Sequence, residues 1–290
     1  MRQRRRTALL AACALVSGVL LLAGCAPSDR SDHARPDIVV VPGAAVLDPA
    51  SETVRLPLDA FGPDALGRQR IQRASDLLIE DCAAERGVGV ALVDVLDFPP
   101  TTLGDLNFFG VWTRERALRT GLGPASDPLT SARLAWDGTV PRAAYEVVLA
   151  CPDESDEAAA ALAEPSPADS VLARGTAESW EWAESDPVWR AALLGYRGCM
   201  QERGWTFDDA WTPYSPVLAE AADSESGIRA ALDQVDCLQS TGAAQAFVDV
   251  VAAYQVAFLG ENEAALAAED AEWEERLTLA RRVIGEHGGA

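Results

Sequence analysis

Apolar residues recur at helical spacing along most of this chain, and the places where the rhythm breaks divide it into segments. The first segment has no period: after Arg2, Arg4, Arg5 and Arg6 an almost unbroken apolar run extends from Ala8 to Ala23, interrupted only by Ser17 and Gly18. Residues 26–51 are rich in Pro, Ser, Asp and Ala, which predicts a flexible linker with one short strand at Ile38–Val41. Gly62-Pro63 then opens a helix running to about Arg86, with Leu66, Ile71, Ala74, Leu78 and Cys82 on one face and Gly87 at the C-terminal cap. Val88–Phe98 is β-branched and partly alternating, so it predicts a strand. Helices are expected at Thr113–Arg119, Pro141–Ala150, Glu154–Ala163 and Pro167–Arg174, and from the cap-and-proline pair Asp186-Pro187 through Arg203.

The last third is the most regular. A helix near Gly227–Gln239 carries Ile228, Ala231, Val235 and Leu238, with Gly242 beyond its end. A longer one runs from Ala243 to about Ile284, its apolar stripe made by Phe247, Val251, Tyr254, Phe258, Ala265, Trp273, Leu277 and Ile284. Gly260 is a point where it would kink or split, and Glu261, Glu263, Glu269, Asp270, Glu274 and Glu275 form an acidic face that reads as solvated. The fold class is therefore mainly α: a helical body with a minor β element and a long C-terminal helix, after a disordered N-terminal tether.

One pattern occurs twice, 117 residues apart: Arg73/Arg190, Ala74/Ala191, Leu77/Leu194, Cys82/Cys199, Glu85/Glu202, Arg86/Arg203 and Gly87/Gly204 coincide, giving C-x-x-E-R-G at two helix ends. This suggests a duplicated helix-plus-disulfide unit and two halves, 53–175 and 176–285.

The basic start and apolar run have the grammar of a signal peptide. The run is short of the about 20 residues that span a bilayer, and it closes on Leu22-Ala23-Gly24-Cys25, a tetrad that looks like the lipobox of bacterial lipoproteins. That resemblance implies attachment of a diacylglyceryl group with palmitate-type chains to the Cys25 thiol, cleavage before Cys25, acylation of the new amino terminus, and a membrane anchor of covalent lipid. Leu10-Ala11-Ala12-Cys13 also fits the tetrad, but it would expose Val16–Gly24 as a greasy mature terminus, so Cys25 is preferred. The expected organisation is a signal peptide at 1–24, a lipidated flexible tether at 25–52 and an extracytoplasmic helical domain at 53–285, lipid-anchored to the outer face of the cell membrane.

Composition narrows the chemistry. There are 24 basic side chains, all arginine, against 45 acids; cleavage before Cys25 removes four arginines and no acid, taking the net charge from −21 to −25. Such a surface repels nucleic acid. The alanine abundance and the absence of lysine fit a high-GC, actinobacterial type of genome. With Cys13 and Cys25 set aside, Cys82, Cys151, Cys199 and Cys237 remain, an even number in an oxidising setting, which reads as two disulfides. Three pairings exist; Cys82–Cys151 with Cys199–Cys237 is preferred because each half then staples itself.

The two histidines, His33 and His287, lie in the tether and near the C-terminus, which disfavours Ser-His-Asp and Cys-His pairs and histidine zinc sites in the body. The lack of lysine removes Schiff bases and the P-loop lysine. No cofactor is expected. Carboxylate chemistry survives, since a pair of acids suffices for glycoside hydrolysis. Calcium is a weaker reading: Asp153-Glu154-Ser155-Asp156-Glu157 and Asp208-Asp209 are dense in oxygen ligands but lack the Ca²⁺-loop spacing. Trp180, Trp182, Trp189, Trp205 and Trp211, with Phe207 and Tyr214, concentrate aromatics in one stretch. Core packing is the default for these; Trp180, Trp182 and Trp211, outside the firm helix, are the candidates for stacking on a sugar or a partner peptide.

L-P-L-D-x-F at Leu56–Phe61, the helix ending at Cys82 to Gly87, the C-M-x-x-x-G helix end at Cys199–Gly204, the later Cys237 and the long acidic C-terminal helix together resemble a group of actinobacterial secreted lipoproteins without an assigned activity. Ala83 departs from the methionine common at that position in the group; Met200 keeps it in the second copy. The resemblance implies fold and address and brings no catalytic residue. The expected function is a non-catalytic binding or envelope-assembly role, with an envelope protein or cell-wall glycan as partner. The alternatives are a carboxylate-dependent cell-wall glycan hydrolase and a solute-binding lipoprotein of a transporter.

Overall fold

A computed structural model describes residues 34–100, 109–123, 127–151, 157–208 and 213–288. Contacts divide the chain into Met1–Arg35 and a compact body, Pro36–Ala290. Cys25 and the segment before it lie outside the described residues.

The body opens with an antiparallel hairpin, β1 (Val46–Asp48) and β2 (Thr53–Arg55), in which Val46 faces Arg55 and Asp48 faces Thr53. Helices follow: α1 Ala65–Glu85, α2 Arg114–Thr120, α3 Pro128–Thr139, α4 Arg142–Leu149, α5 Glu157–Leu162, α6 Val171–Glu184, α7 Pro187–Glu202, α8 Glu225–Ser240 and α9 Ala243–Glu286. The body is thus mainly helical, with a minor sheet. Side-chain oxygens start most of these helices by accepting an otherwise unbonded amide. Asp64 accepts from Gly67, Thr113 from Arg116, Ser170 from Ala173, Asp186 from Val188 and Ser224 from Gly227.

Helix α9 is the spine. Its 44 residues make it roughly 66 Å long at 1.5 Å per residue. From Phe247 to Gln255 every residue is buried, so this stretch is enclosed on every side. Farther on, Leu266 packs with Leu58 and the start of α6, and Trp273, Leu277, Ala280 and Val283 keep one buried stripe against α1 and α5. An 18-residue window of α9 is apolar enough to cross a bilayer, but 61 % of it is buried within the protein, so core packing accounts for its apolarity. Gly175 of α6 lies close against the spine, where a Cβ would collide with the Phe258 ring. Gly260 does not split the helix, which is continuous on both sides of it.

Five expectations are corrected. Val88–Phe98 is not a strand: its polar groups bond to other elements instead of to a neighbouring strand. The Leu92 amide donates to Glu80 of α1, the Ala91 carbonyl accepts from the Trp136 indole, and Asp94 caps a short 3-10 turn at Val95–Asp97. Ile38–Val41 is extended but pairs with no strand; the strands lie later, at β1 and β2. The helix expected at Pro167–Arg174 begins instead at Val171, because Ser170 rather than the residue before Pro167 supplies the cap, and it continues to Glu184. Finally, the body starts at Pro36 rather than 53. Ile38, Val40 and Leu47 pack on the main core, and the Gly43 and Ala45 amides donate to Asp249 of α9 at 2.9 and 3.2 Å. The two suggested halves do not form separate bodies either, since α1, α5, α6, α7 and α8 all pack on the single spine.

Candidate functional site

The four body cysteines form two disulfides, Cys82–Cys151 and Cys199–Cys237, each with 5.7 Å between Cα atoms. The repeated C-x-x-E-R-G acquires a physical meaning here. In each copy the helix ends at the glutamate, the arginine is the C-cap, and the glycine takes positive φ, +80° at Gly87 and +89° at Gly204. The amide after each glycine reaches back into the last turn, Val88 to the Ala83 carbonyl and Trp205 to the Met200 carbonyl. Each arginine then crosses to the partner cysteine's element: Arg86 donates to the Ala150 carbonyl at 2.9 Å, beside Cys151. Arg203 donates to Asp233 and Asp236 at 2.8 and 3.4 Å, beside Cys237. The motif is a staple with a built-in brace, and its residues are occupied by that task.

The aromatic stretch packs inward. Trp189 is 1 % exposed and stacks against Phe247 with centroids 4.6 Å apart. Trp180 meets it edge-on at 6.1 Å, and Trp182 lies 5.8 Å from Tyr254. Both candidates are half-buried and pack against the main core. Trp205 is held by Asp233, which accepts its indole proton, and by Arg229 over its ring. Trp211 lies outside the described residues, as do Asp153–Asp156 and Asp209 of the acidic clusters.

Four aspartates or glutamates are buried among the described residues: Asp76, Asp186, Asp249 and Glu269. Asp186 caps α7 and accepts the Tyr254 hydroxyl proton at 2.9 Å. Asp249 accepts from Gly43, Ala45 and Gln245, tying the N-terminal strap to the spine. Glu269 accepts from the Ser170 hydroxyl and the Leu172 amide, fixing the start of α6. Asp76 on α1 accepts from Gln72 at 2.8 Å, and burial pushes its carboxyl up to about 6 against the opposing pull of Gln72, Arg133 and Arg73. At 7 % exposure it is closed to a dissolved glycan.

Sequence reasoning missed a buried polar group with several partners. Gln234 of α8 is fully buried; its Oε1 accepts from the Val111 amide at 2.9 Å, and its Nε2 donates to the Tyr196 hydroxyl at 2.7 Å and the Tyr214 carbonyl at 2.8 Å. Tyr196 in turn donates to the Tyr214 carbonyl, and Trp189 donates to the Tyr214 hydroxyl. Burial holds both tyrosines in the phenol form, pushing Tyr214 up to about 12 and Tyr196 higher still. This network joins two loops to α7 and α8. A surface depression on α9 is lined by Glu274, Glu275, Thr278, Leu279 and Arg282. No group of three or more His, Cys, Asp or Glu placed to hold a metal occurs among the described residues.

These features define a disulfide-stapled helical protein whose buried chemistry is structural. Comparison with protein-family models, with curated proteins and with solved structures returned no match. Function is therefore argued from the chain's own residues.

Proposed function

We propose that the mature protein is a lipoprotein, acylated on Cys25 and held at the outer face of the cytoplasmic membrane, whose helical body is a non-catalytic binding or assembly component of the cell envelope. The observation that carries the non-catalytic part is the employment of the buried acids. Asp186, Asp249 and Glu269 each accept two or more hydrogen bonds from the protein itself, and Asp76 is enclosed with Gln72. A glycosidase needs two facing acids in an open groove, roughly 5–9.5 Å apart. The buried acids here serve as clamps. A transporter's solute-binding protein calls for alternating strands and helices around a cleft, whereas the sheet in this body is a two-stranded hairpin.

The partner belongs to the envelope: a protein, or the cell-wall glycan bound without cleavage. Crosslinking in cells followed by recovery of the mature protein tests the reading. One abundant envelope partner is the expected result, and release of sugar fragments from purified cell wall by the same preparation would replace it with the hydrolase.

A further inference from the structure

The length of free chain between lipid and fold limits where this body can act, and the argument rests on the acylation of Cys25 proposed above. The body begins at Pro36. Residues 26–35 alone then separate it from the acylated cysteine. Whatever path those ten residues take, they reach at most roughly 35 Å when fully extended, and a flexible chain of that length averages about 17 Å end to end.

The first folded stretch alternates. Ile38 and Val40 turn to the core, while Val39 is 82 % and Val41 57 % exposed. Scattered exposed apolar side chains are ordinary on protein surfaces, so exposure alone decides nothing. Position does: these two valines stand at the root of the tether. A short link holds such a patch at an effective concentration in the millimolar range relative to whatever lies at the tether's other end. Charge permits the approach. Residues 34–47 carry one arginine and one aspartate in a protein whose mature net charge is −25, so this stretch escapes the repulsion that the rest of the chain meets at a membrane. Asp249, buried to 3 % exposure, clamps the strap to the spine through Gly43 and Ala45, so an orientation imposed on the strap is passed to α9.

We propose that the strap Asp37–Val41 rests on the lipid surface with Val39 and Val41 turned to the headgroup region. Its occupant is the bilayer, and the partner is met by the surfaces left facing away from it.

The test uses the acylated mature protein on phosphatidylcholine vesicles, with hydrogen exchange of residues 37–41 compared with that of Cys25→Ser protein in solution. Exchange slowed at least fivefold on vesicles is expected. The double variant Val39→Asp/Val41→Asp should co-sediment with vesicles as before and unfold at an unchanged temperature, but lose the slowing. Unchanged exchange in protein that does co-sediment overturns the proposal and leaves the lipid anchor standing. Slowing that appears in Cys25→Ser protein without vesicles as its concentration rises overturns it in favour of a second copy. Acylated protein that fails to co-sediment removes the anchor and this inference with it.

Discussion

Gln234 shows what a single buried polar residue does here. It joins Val111, Tyr196 and Tyr214, which lie on segments far apart in the chain, inside a core that also holds Phe109, Trp189 and Phe247. A buried donor left without its acceptor costs about 1–3 kcal/mol, and Gln234→Leu strands the Val111 amide while loosening both tyrosine contacts. The variant should lose about 2–4 kcal/mol in urea unfolding. Asp76 acts in the opposite direction. Its folded pKa of about 6 lies above the ordinary value of 3.8, so the fold favours the protonated carboxyl. Its contribution is fully present below pH 3.8 and is lost as pH rises through 6. Asp76→Asn should therefore stabilise the protein by on the order of 2 kcal/mol at pH 7, and the gain should vanish below pH 4 when unfolding is followed across that range. Sequence made the cysteines legible at this scale, because number and compartment point to pairing. It left Gln234 and Asp249 unread, since a glutamine or aspartate becomes a hub only when segments more than a hundred residues apart converge on it.

Among the elements, helices with both a cap and a sustained stripe were legible: α1, α7, α8 and α9 fall within a few residues of their expected bounds. The misreadings share a cause. Val88–Phe98 has strand composition but lies where Glu80 and Trp136 satisfy its backbone, and α6 is extended by packing of Gly175 on Phe258, which no local propensity encodes. The two disulfides separate loop length from packing. They close spans of 69 and 38 residues, a difference worth only about 0.5 kcal/mol in chain entropy. Each pair joins a buried cysteine, Cys151 or Cys237, to a half-buried one, Cys82 or Cys199, but Cys237 belongs to the main core and Cys199 packs against it, whereas Cys82 and Cys151 lie outside that cluster. Replacing Cys199 and Cys237 by serine should lower the melting temperature more than replacing Cys82 and Cys151, although its loop is the shorter. The far end of α9 is pinned by His287, whose Nδ1 faces the Val283 carbonyl and whose Nε2 faces Asp81 of α1. Both partners are acceptors, so only the imidazolium satisfies them together. The Val283 carbonyl first and Asp81 second raise its pKa above the ordinary 6.5. That contribution is complete below pH 6.5 and fades as pH rises through the raised value. A melting difference between the native protein and His287→Gln at pH 5.5 that shrinks by pH 9 is the expected result.

For the molecule as a whole, the helical class, the pairing of the staples and the long terminal helix were legible because each depends on a local or countable feature. The start of the body was not. Residues 36–52 have linker composition, yet Ile38, Val40 and Leu47 find a core and Asp249 receives the Gly43 and Ala45 amides. In the lipoprotein proposed above, that shift leaves only residues 26–35 between the body and its lipid anchor. Its most direct test is the intact mass and N-terminal peptide of the protein extracted from membranes. The account predicts a mature chain beginning at Cys25 and carrying a thioether-linked diacylglyceryl group. A chain that retains Met1, or one cut near residue 25 with no lipid on it, would contradict it.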